Sequence, residues 1–490
     1  MKNQKRLVVL SNRLPVKIEK EDDTYKVKPG AGGLVTAFAP VLRDRNGLWI
    51  GWSGTTENIK LDNLLSEGSE RTGYTLIPVN LPEDDLDGYY NRFSNGTLWP
   101  LFHDLLGRCE FEVEDWKCYQ RVNRIFSEKL EEFTKKDDFI WIQDYHLFLV
   151  AKYLKERNIR RKTNFFLHIP FPPLDIFIKL PWRWQILEGI LSYYLVGFQT
   201  ERDRQNFIRC VNTLLPKARI NRSKKIHNIV YNNNVTKVGV FPIGIDFYNF
   251  NNLALSKQVQ DEAWYLHEKY QNQKLILGVD RLDFTKGIPE KFKAFATCLE
   301  KYPELKEKIS LLQIIVPSRI ETPIYMKLKQ TLDELVGFIN GRFAKHGWIP
   351  INYMYRRLDR KVLVSHYFAC EIALITPLKD GMNLVAKEYC ASCPDNRGVL
   401  ILSEFAGAVA QLHKGAILVN PYDYEGIADA IHKAYFMSDE ERNKRMNILR
   451  SEVKRNNVFK WVDNFIRAAI SGEDYGSSQE FYSSLIRKKG

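Results

Sequence analysis

Short apolar runs alternate with longer amphipathic segments along almost the whole chain. This alternation limits the possible folds more than any other feature of the sequence. Runs of about four to eight apolar or β-branched residues are typical of buried strands, and longer segments with apolar positions every three or four residues are typical of helices. Strands that alternate with helices predict parallel sheets covered by helices on both faces. We therefore expect an α/β fold.

The predicted strands fall into two series. The first series comprises Leu7–Leu10, Leu48–Gly51, Phe139–Gln143, Asn164–Leu167, Leu195–Phe198 and Lys237–Phe241. The second comprises Lys274–Val279, Ile309–Val316, Glu371–Thr376, Val399–Leu402 and Ala416–Val419. Helical patterns between them include Trp116–Phe133, Pro289–Lys301 and Tyr325–Asn340. The segment Phe241–Asp246 contains proline and glycine, so we place a boundary between two domains near residue 245.

The charge balance narrows the classes of ligand. Lys plus Arg is 72 and Asp plus Glu is 59, which gives a net charge of +13 over 490 residues. The densest basic clusters, Arg160–Lys162 and Arg222–Lys225, have no zinc module, RNP-like aromatic motif or heptad repeat beside them. Nucleic acid is therefore a weak hypothesis. An excess of basic residues suits anionic small substrates at least as well.

No segment predicts a membrane span or a secretion signal. The chain lacks the run of about 18 apolar residues that a membrane helix needs. The basic start, Met1–Arg6, leads directly into Leu7–Leu10, which predicts a strand rather than a signal peptide. The seven cysteines are scattered, and Cys390 and Cys393 form a lone C-x-x-C without a second pair. We expect reduced thiols, no metal and a cytoplasmic protein.

Polar or glycine-rich residues follow the predicted strands in both halves. In the first half these segments are Ser11–Pro15, Gln143–His146 and His168–Pro172. In the second half they are Asp280–Gly287 and Pro317–Arg319. Ligands of parallel sheets gather at the carboxyl ends of the strands. The pattern therefore predicts one cleft between two domains, with a different ligand held mainly by each.

A predicted helix that begins near Asn383 carries the strongest signal for an anion. Its first amides, those of Leu384, Val385 and Ala386, would lack partners within the helix and lie at the positive end of its dipole. Such an end is a ready anion site. An ordinary strand-to-helix turn in an α/β core is the alternative.

Charged residues around this helix extend the signal to a nucleotide. Glu388 lies four residues after Leu384, on the same face, where its carboxylate can accept hydrogen bonds from sugar hydroxyls. Arg281 and Lys286 lie five positions apart in a loop before a helix opened by Pro289, and they can neutralise two phosphates. A solvated basic loop is the alternative. Together these residues favour a bound nucleoside diphosphate.

Three further features carry weaker signals. The glycine-rich loop Lys28–Leu34 is neither G-x-G-x-x-G nor G-x-x-x-x-G-K-[ST]. Tyr89–Pro100 mixes aromatic and amide side chains, which suits sugar rings but also a packed surface turn. Asp144 and His168 each follow a predicted strand, where a histidine is more often a hydrogen-bonded core residue than a catalyst. No Ser/His/Asp or H-E-x-x-H spacing occurs, which argues against a hydrolase or a zinc enzyme.

Taken together, these segments resemble the trehalose-6-phosphate synthase family of retaining glycosyltransferases. The matching stretches are Ser11–Pro15, Gly30–Leu34, Tyr89–Pro100, Trp141–His146, Phe165–Pro172, Gly197–Thr200, Arg281–Gly287, Pro377–Tyr389 and Val419–Asp423. They cover nearly the whole chain in the family's order. The resemblance implies transfer of glucose from a nucleotide sugar, usually UDP-glucose, to glucose 6-phosphate, with release of UDP and formation of an α,α-1,1 bond.

The resemblance also implies the GT-B architecture, in which two Rossmann-like domains face each other across a cleft. Residues 1–245 would form the acceptor-binding domain and residues 246–455 the nucleotide-sugar-binding domain. A C-terminal helix within 456–490, around Phe459–Ile470, would cross back to the first domain. We expect UDP-glucose and glucose 6-phosphate as partners and no nucleic acid or membrane, and a homo-oligomer remains an option.

The resemblance implies a donor site built mainly by the second domain. Its expected residues are Gly32, Gly33, Arg281, Lys286, Leu358, Asp380, Asn383, Leu384, Val385, Ala386, Lys387 and Glu388. Arg281 and Lys286 would hold the diphosphate, Asp380 the hydroxyls of the transferred glucose and Glu388 the ribose. Leu358 stands where an aromatic residue can occur near the uracil, so this departure leaves the preferred nucleobase open.

The expected acceptor-site residues are Arg13, Tyr90, Trp99, Asp144, Ile169 and Arg319. The two arginines and the tyrosine resemble contacts to the acceptor phosphate, and Asp144 resembles a contact to an acceptor hydroxyl. Trp99 and Ile169 resemble positions that shape the acceptor pocket. The expected catalytic residues are Arg281, Lys286, Asp380 and His168, the last as a contact to the donor sugar.

No carboxylate is placed as an obvious nucleophile, so the two-carboxylate scheme of glycosidases is not expected. Departure of the diphosphate with attack from the same face would need mainly positioning and charge stabilisation. The one D-x-D, Asp85-Leu86-Asp87, lies in an acidic run that we interpret as a solvated turn. We therefore expect transfer without a metal or another cofactor.

Three alternatives stay open at the sequence level. A related transferase with another phosphorylated acceptor, such as a glucosylglycerol-phosphate synthase acting on glycerol 3-phosphate, would share most of these motifs. A catalytically silent sugar-phosphate sensor is the second alternative, although the joint presence of Arg281, Lys286, Asp380 and Glu388 argues against it. A nucleic-acid binder, suggested only by the charge, is the third.

Overall fold

A computed structural model describes residues 5–21, 24–29, 33–55, 61–319 and 322–471. The strands within these residues are β1 Leu7–Arg13, β2 Val16–Glu21, β3 Thr24–Pro29, β4 Leu48–Trp52, β5 Thr75–Val79, β6 Phe139–Gln143, β7 Thr163–Phe166, β8 Leu195–Phe198, β9 Arg219–Asn221, β10 Ile226–Tyr231, β11 Asn234–Val240, β12 Lys274–Arg281, β13 Ile309–Val316, β14 Ile351–Tyr355, β15 Ile372–Ile375, β16 Val399–Ser403 and β17 Ile417–Val419.

The α-helices within the same residues are α1 Gly33–Asp44, α2 Leu61–Thr72, α3 Glu83–Leu86, α4 Trp99–Phe102, α5 Val113–Phe133, α6 Val150–Glu156, α7 Leu174–Phe177, α8 Arg183–Ile190, α9 Glu201–Leu214, α10 Phe247–Ala254, α11 Lys257–Lys269, α12 Ile288–Lys301, α13 Pro323–Phe343, α14 Arg360–Ala369, α15 Leu384–Ala391, α16 Val409–Leu412, α17 Tyr424–Phe436, α18 Asp439–Arg455 and α19 Val458–Ser471. A π-helix over Asp87–Leu98 joins α3 to α4.

Two large sheets organise these elements. The first has nine strands in the order β5-β4-β1-β6-β7-β8-β11-β10-β9, and the second has six in the order β14-β13-β12-β15-β16-β17. Neighbouring strands pair in parallel except where β10 pairs with β9 and β11. In each sheet the chain winds outward from two central strands, which is the doubly wound arrangement. The predicted α/β fold with two Rossmann-like domains is confirmed.

Central strands are buried on both faces, which explains why they were predictable. Every residue of β6 and of β15 is buried, because helices cover both faces of a parallel sheet and near-continuous apolar runs result. All eleven predicted strands are present, with ends that differ by at most three residues. The strands missing from the prediction are β2, β3, β5, β9, β10 and β14. Of these, β5, β9 and β14 lie at the edges of the two large sheets, and β2 and β3 form a two-stranded sheet of their own.

The last helix returns to the first domain. The Phe465 ring stacks on Trp141 of β6 with centroids 4.0 Å apart, and the Trp461 ring lies 5.6 Å from Phe38 of α1. The predicted crossing helix is therefore confirmed for Val458–Ser471, and residues 472–490 lie outside the described residues. The first sheet ends at Val240 and the second begins at Lys274, a gap that contains the predicted boundary near residue 245.

The acidic run Asp85-Leu86-Asp87 is not the solvated turn that we predicted. Asp85 and Leu86 belong to α3, and the π-helix begins at Asp87. Asp85 is nearly buried and its Oδ1 lies 2.5 Å from Nη2 of Arg121 on α5. The D-x-D therefore holds two helical segments together. In the described ranges, no helix combines the length and the apolar character needed to cross a bilayer.

Candidate functional site

The two sheets place the predicted acceptor and donor residues at equivalent points. The central pairs of strands are β1 with β6 in the first sheet and β12 with β15 in the second. Arg13 ends β1 and Asp144 follows β6, whereas Arg281 ends β12 and Asp380 follows β15. Doubly wound sheets bind ligands beyond the carboxyl ends of these central strands. Each domain therefore contributes one such crevice.

Side chains from both domains meet across the cleft. The indole Nε1 of Trp99 in the first domain donates to Oδ1 of Asp283 in the second, at 3.4 Å. The ammonium of Lys379 lies 2.5 Å from Oδ2 of Asp104, and only 10% of the Lys379 side chain is exposed. These contacts hold the strand-end loops of the two domains against each other. The predicted single cleft is confirmed.

Asn383 shapes the end of α15 that is predicted to bind an anion. This residue has a left-handed backbone with φ 71°, and its side chain accepts a hydrogen bond from the amide of Ala386 at 3.1 Å. Asparagine tolerates this conformation better than most residues. Of the three amides predicted to be free, that of Ala386 is therefore used by the cap. The amides of Leu384 and Val385 lie in the first turn, where an α-helix offers no internal acceptor.

Lys286 and Asp380 form an ion pair in the middle of the predicted donor site. Nζ and Oδ2 are 2.5 Å apart, and the two side chains are 12% and 14% exposed. Nδ2 of Asn383 donates to the same carboxylate oxygen at 3.2 Å. Burial alone would raise the pKa of Asp380, but Lys286 lowers it below its usual value. Asp380 is therefore ionised at neutral pH.

Two arginines lie over the same tryptophan at the domain boundary. The guanidinium carbon of Arg281 is 5.7 Å from the centroid of Trp99, and that of Arg319 is 4.9 Å from it. Nη1 of Arg319 donates to the hydroxyl of Tyr325 at 2.5 Å. Arg319 also lies 3.9 Å from Oδ2 of Asp283. The site thus concentrates positive charge between the two crevices.

Glu388 and Lys387 point to different neighbours although they are adjacent in α15. Glu388 accepts a hydrogen bond from the hydroxyl of Tyr367 at 2.9 Å. The ammonium of Lys387 donates to the carbonyl of Ile243 at 2.6 Å and to Oε1 of Gln411 at 2.7 Å. Burial lowers the pKa of Lys387 to about 7. Its side chain therefore joins α15 to the connection between the domains and to α16.

The predicted acceptor residues Arg13, Tyr90 and Asp144 lie at the crevice of the first domain. Arg13 lies over Trp52 at 4.9 Å, and Tyr90 stacks on His146 with centroids 5.8 Å apart. Asp144 has φ 73° and accepts the amide hydrogen of His168 at 3.1 Å. Burial raises the pKa of Asp144 to about 6, although backbone donors and Arg281 oppose the shift.

His168 is a hydrogen-bonded residue of the first domain that lies next to the second. Its Nε2 lies 2.9 Å from Oε1 of Gln143, and its ring lies 6.0 Å from that of Trp461 in the crossing helix. Burial lowers its pKa to about 3, so the ring is neutral. Its carbonyl oxygen faces the second domain, because a methyl group on Gly381 would lie only 2.0 Å from it. Ile169 follows, buried at the same contact.

The remaining predicted positions are less informative. Gly32 lies outside the described residues, and Gly33 is the first residue of α1. Leu358 is partly buried against an apolar cluster that includes residues of both domains. No three histidine, cysteine or acidic residues among those described converge in a way that could hold a metal ion.

Sequence reasoning missed His103 as a member of the site. It is 3% exposed, its Nδ1 lies 2.7 Å from the carbonyl of Trp99, and the two rings are 4.3 Å apart. Burial lowers its pKa to about 4, and it lies close enough to Lys286 and Asp380 to interact with their charges. The signal was available, because His103 follows Trp99 by four positions and so shares its helix face.

Comparison with known proteins decides the family. The family model described as Glycosyltransferase family 20 matches residues 5–470 of this chain. The chain belongs to glycosyltransferase family 20. A family relative, the trehalose-6-phosphate synthase of Mycolicibacterium vanbaalenii, is 39% identical over 472 residues, which are 95% of this chain and 96% of that protein.

Solved structures extend the family likeness to the fold. A trehalose-6-phosphate synthase studied with bisubstrate glycomimetics for glycosyl transfer with retention is 38% identical, with TM-score 0.84, over 95% of this chain and 99% of that one. A UDP-forming α,α-trehalose-phosphate synthase of Burkholderia xenovorans, in complex with glucose-6-phosphate, is 34% identical, with TM-score 0.84, over 95% and 99%. The E. coli trehalose-6-phosphate protein bound with UDP-2-fluoro glucose is 39% identical, with TM-score 0.85, over 95% and 98%. The GT-B architecture expected from the sequence is therefore the fold of this family 20 member.

Proposed function

We propose that this chain transfers glucose from UDP-glucose to glucose 6-phosphate, releases UDP and forms α,α-trehalose 6-phosphate with retention at the anomeric carbon. The observation that carries the proposal is the convergence of Arg281, Lys286 and the first turn of α15 beyond the central strands of the second sheet. Relatives of similar fold bind a UDP-glucose analogue and glucose-6-phosphate. They support both substrates.

The donor diphosphate would lie between the two basic side chains and the amides of Leu384 and Val385. As the bond from the anomeric carbon to the diphosphate oxygen breaks, negative charge grows on the leaving group, where Arg281 and Lys286 stabilise it. Lys286 already holds Asp380 at 2.5 Å, so the same contact can place that carboxylate on the hydroxyls of the transferred glucose. Charge stabilisation and sugar positioning are then coupled through one lysine.

The acceptor would lie opposite, in the crevice of the first domain. Arg13 and Arg319, with the hydroxyl of Tyr90, suit its phosphate because guanidinium groups bind phosphate oxygens well. Asp144 would accept a hydrogen bond from an acceptor hydroxyl, and Trp99 would close the pocket between the two sugars. The attacking hydroxyl bonds to the anomeric carbon on the face that the diphosphate leaves, and its proton passes to a departing phosphate oxygen.

This scheme uses no resident cofactor, and we propose that transfer is independent of metal ions. Two cations at the diphosphate supply the charge that a metal would otherwise provide. We also propose a cytoplasmic location with small-molecule partners. The seven cysteines, all free in the structure, fit a reducing compartment.

Product identification tests the proposed function. We expect UDP and a non-reducing phosphorylated disaccharide when the protein is incubated with UDP-glucose and glucose 6-phosphate, also in the presence of EDTA. A parallel panel of acceptors should include glycerol 3-phosphate. Faster release of UDP with glycerol 3-phosphate than with glucose 6-phosphate would overturn the proposed acceptor, and no transfer to any acceptor would favour a silent sensor.

A further inference from the structure

A buried tyrosine holds one oxygen of Glu388. Tyr367 lies on α14, is fully buried, and donates its hydroxyl hydrogen to Oε2 of Glu388 at 2.9 Å. Glu388 lies one helical turn after Leu384 in α15, behind the end that would bind the diphosphate. Within the described part of the chain, the other oxygen, Oε1, makes no hydrogen bond and is not sealed from solvent. One oxygen is therefore held by the protein while the other is left for a ligand.

The charges around this pair fix its protonation. Tyr367 faces Glu388, Arg360 on its own helix and Asp280 at the end of β12. Asp280 is compensated by Lys291, whose Nζ lies 2.5 Å from its Oδ2 with both side chains buried. Burial, with Glu388 beside it, raises the pKa of Tyr367 well above its usual value. The tyrosine hydroxyl therefore keeps its proton and acts only as a donor to the carboxylate.

We propose that Tyr367 is a positioning residue for the ribose of the nucleotide, because its hydroxyl orients the carboxylate of Glu388. This inference rests on the proposed function, in which Glu388 accepts hydrogen bonds from the ribose hydroxyls. A glutamate on a helix surface samples several rotamers. A fixed donor on Oε2 selects one of them and leaves Oε1 directed to the ribose. Tyr367 itself touches no substrate.

Titration of Glu388 gives the inference a signature that packing alone would not produce. Burial raises the pKa of Glu388, whereas the hydrogen bond from Tyr367 and the charge of Arg360 lower it. Without the Tyr367 hydroxyl, the carboxyl therefore protonates at a higher pH. A protonated Glu388 is a poorer acceptor for ribose hydroxyls, so UDP affinity should fall as pH decreases. In a variant without the Tyr367 hydroxyl, this fall should begin at a higher pH than in the wild type.

The test is Tyr367→Phe, which keeps the ring and removes the hydroxyl. We expect the variant to bind UDP about five- to tenfold more weakly than the wild type at neutral pH. The difference in affinity, measured by calorimetry, should increase at lower pH. The KM for UDP-glucose should rise while kcat changes little. The affinity for 2′,3′-dideoxyuridine diphosphate should not change, because this nucleotide lacks the hydroxyls that would donate hydrogen bonds to Glu388.

Tyr389→Phe is the matched control. Tyr389 is adjacent to Glu388, fully buried, and donates to the backbone carbonyl of Cys370 at 3.0 Å. Its variant loses an equivalent hydroxyl and should follow the pH profile of the wild type. If Tyr367→Phe binds UDP with the affinity and pH profile of Tyr389→Phe, the role of Tyr367 is overturned while the proposed function stands. Failure of the wild type to bind UDP at all would instead remove the proposed function, and this inference with it.

Discussion

At the scale of single residues, the central contact is the ion pair between Lys286 and Asp380. The two groups are 2.5 Å apart and mostly shielded from water, so their attraction is stronger than that of a surface pair. Asp380 also accepts a hydrogen bond from Nδ2 of Asn383 at 3.2 Å. One carboxylate therefore connects the loop before α15 with the loop after β12. This connection places Lys286, the proposed cation at the leaving group, next to Asp380, the proposed contact to the sugar hydroxyls.

Lys286→Ala should abolish most of the activity while the fold is retained. Loss of one charge at the leaving group should lower turnover at least about a hundredfold, as measured by UDP release. Lys293→Ala is the control, because Lys293 is an exposed lysine of α12 outside the site. A Lys286→Ala variant with nearly normal turnover would remove Lys286 from the mechanism.

Asp144 predicts a pH dependence on the acceptor side. Burial raises the pKa of this carboxyl to about 6, so the group becomes protonated as pH falls through about 6. In the proposed site, ionised Asp144 accepts a hydrogen bond from a hydroxyl of glucose 6-phosphate. The KM for glucose 6-phosphate should therefore rise below that pH. The Asp144→Asn variant should have a higher KM throughout and lose this part of the profile, leaving only the titration of the substrate phosphate. Identical profiles for the two proteins would contradict the assigned role.

The location of a site residue was predictable from the sequence where a motif fixes the backbone. The direction in which a long side chain points was less predictable. Arg281, Lys286 and Asp380 converge because strand ends and helix starts place them. Lys387 lies in the same motif, yet its ammonium bonds the carbonyl of Ile243. No local pattern indicates which partner a long side chain reaches. His103 was missed because a single histidine near Trp99 is easily interpreted as a packed core residue.

At the scale of elements, the start of α15 depends on one unusual residue. Asn383 has φ 71° and caps the amide of Ala386. Asn383→Ala should lower the free energy of unfolding by roughly 2 kcal/mol, because it loses the cap and strains a left-handed backbone. It should also weaken UDP binding, since the cap orients the first turn of the helix.

Ser438→Ala is the matched control for the helix cap. Ser438 caps α18 through the amide of Glu441 at 3.3 Å, at an exposed position. Its loss should cost about 1 kcal/mol with no change in UDP affinity. Urea unfolding and UDP titration of both variants separate the two effects. Unchanged UDP affinity in Asn383→Ala would show that the cap serves stability alone.

Buried elements followed from the sequence, and exposed or irregular ones did not. The central strands carry nearly uninterrupted apolar runs because both their faces are covered. The edge strand β14 has one neighbour and four partly exposed residues out of five, and Asn352 interrupts the apolar run by which the central strands were predicted. The π-helix Asp87–Leu98 has no simple periodicity in its polar and aromatic residues, and we predicted only its mixed composition.

At the scale of the whole molecule, an ion pair between Lys379 and Asp104 joins the two domains across the cleft. Lys379 and Asp104 are 275 positions apart in sequence, and their hydrogen bond of 2.5 Å joins the two strand-end regions. Such a pair is invisible in a single sequence because neither neighbour pattern nor spacing relates the two residues. Burial lowers the pKa of Lys379, whereas Asp104 raises it. Without Asp104 the cation would favour a more hydrated position.

Asp104→Asn should therefore shift the free protein towards more open arrangements of the domains. We expect a larger radius of gyration by small-angle X-ray scattering and a smaller difference from wild type once UDP and glucose 6-phosphate are added. Glu132→Gln is the control, because Glu132 pairs with Lys129 within α5 on the surface. An unchanged scattering profile for Asp104→Asn would mean that other contacts keep the cleft closed.

The location of bound UDP tests the central claim most directly. A crystal of the protein soaked with UDP should show the diphosphate beside Arg281, Lys286 and the amide of Leu384, with the ribose next to Glu388. Density for the nucleotide at any other position, in either domain, would contradict the assignment of the second domain as the donor site.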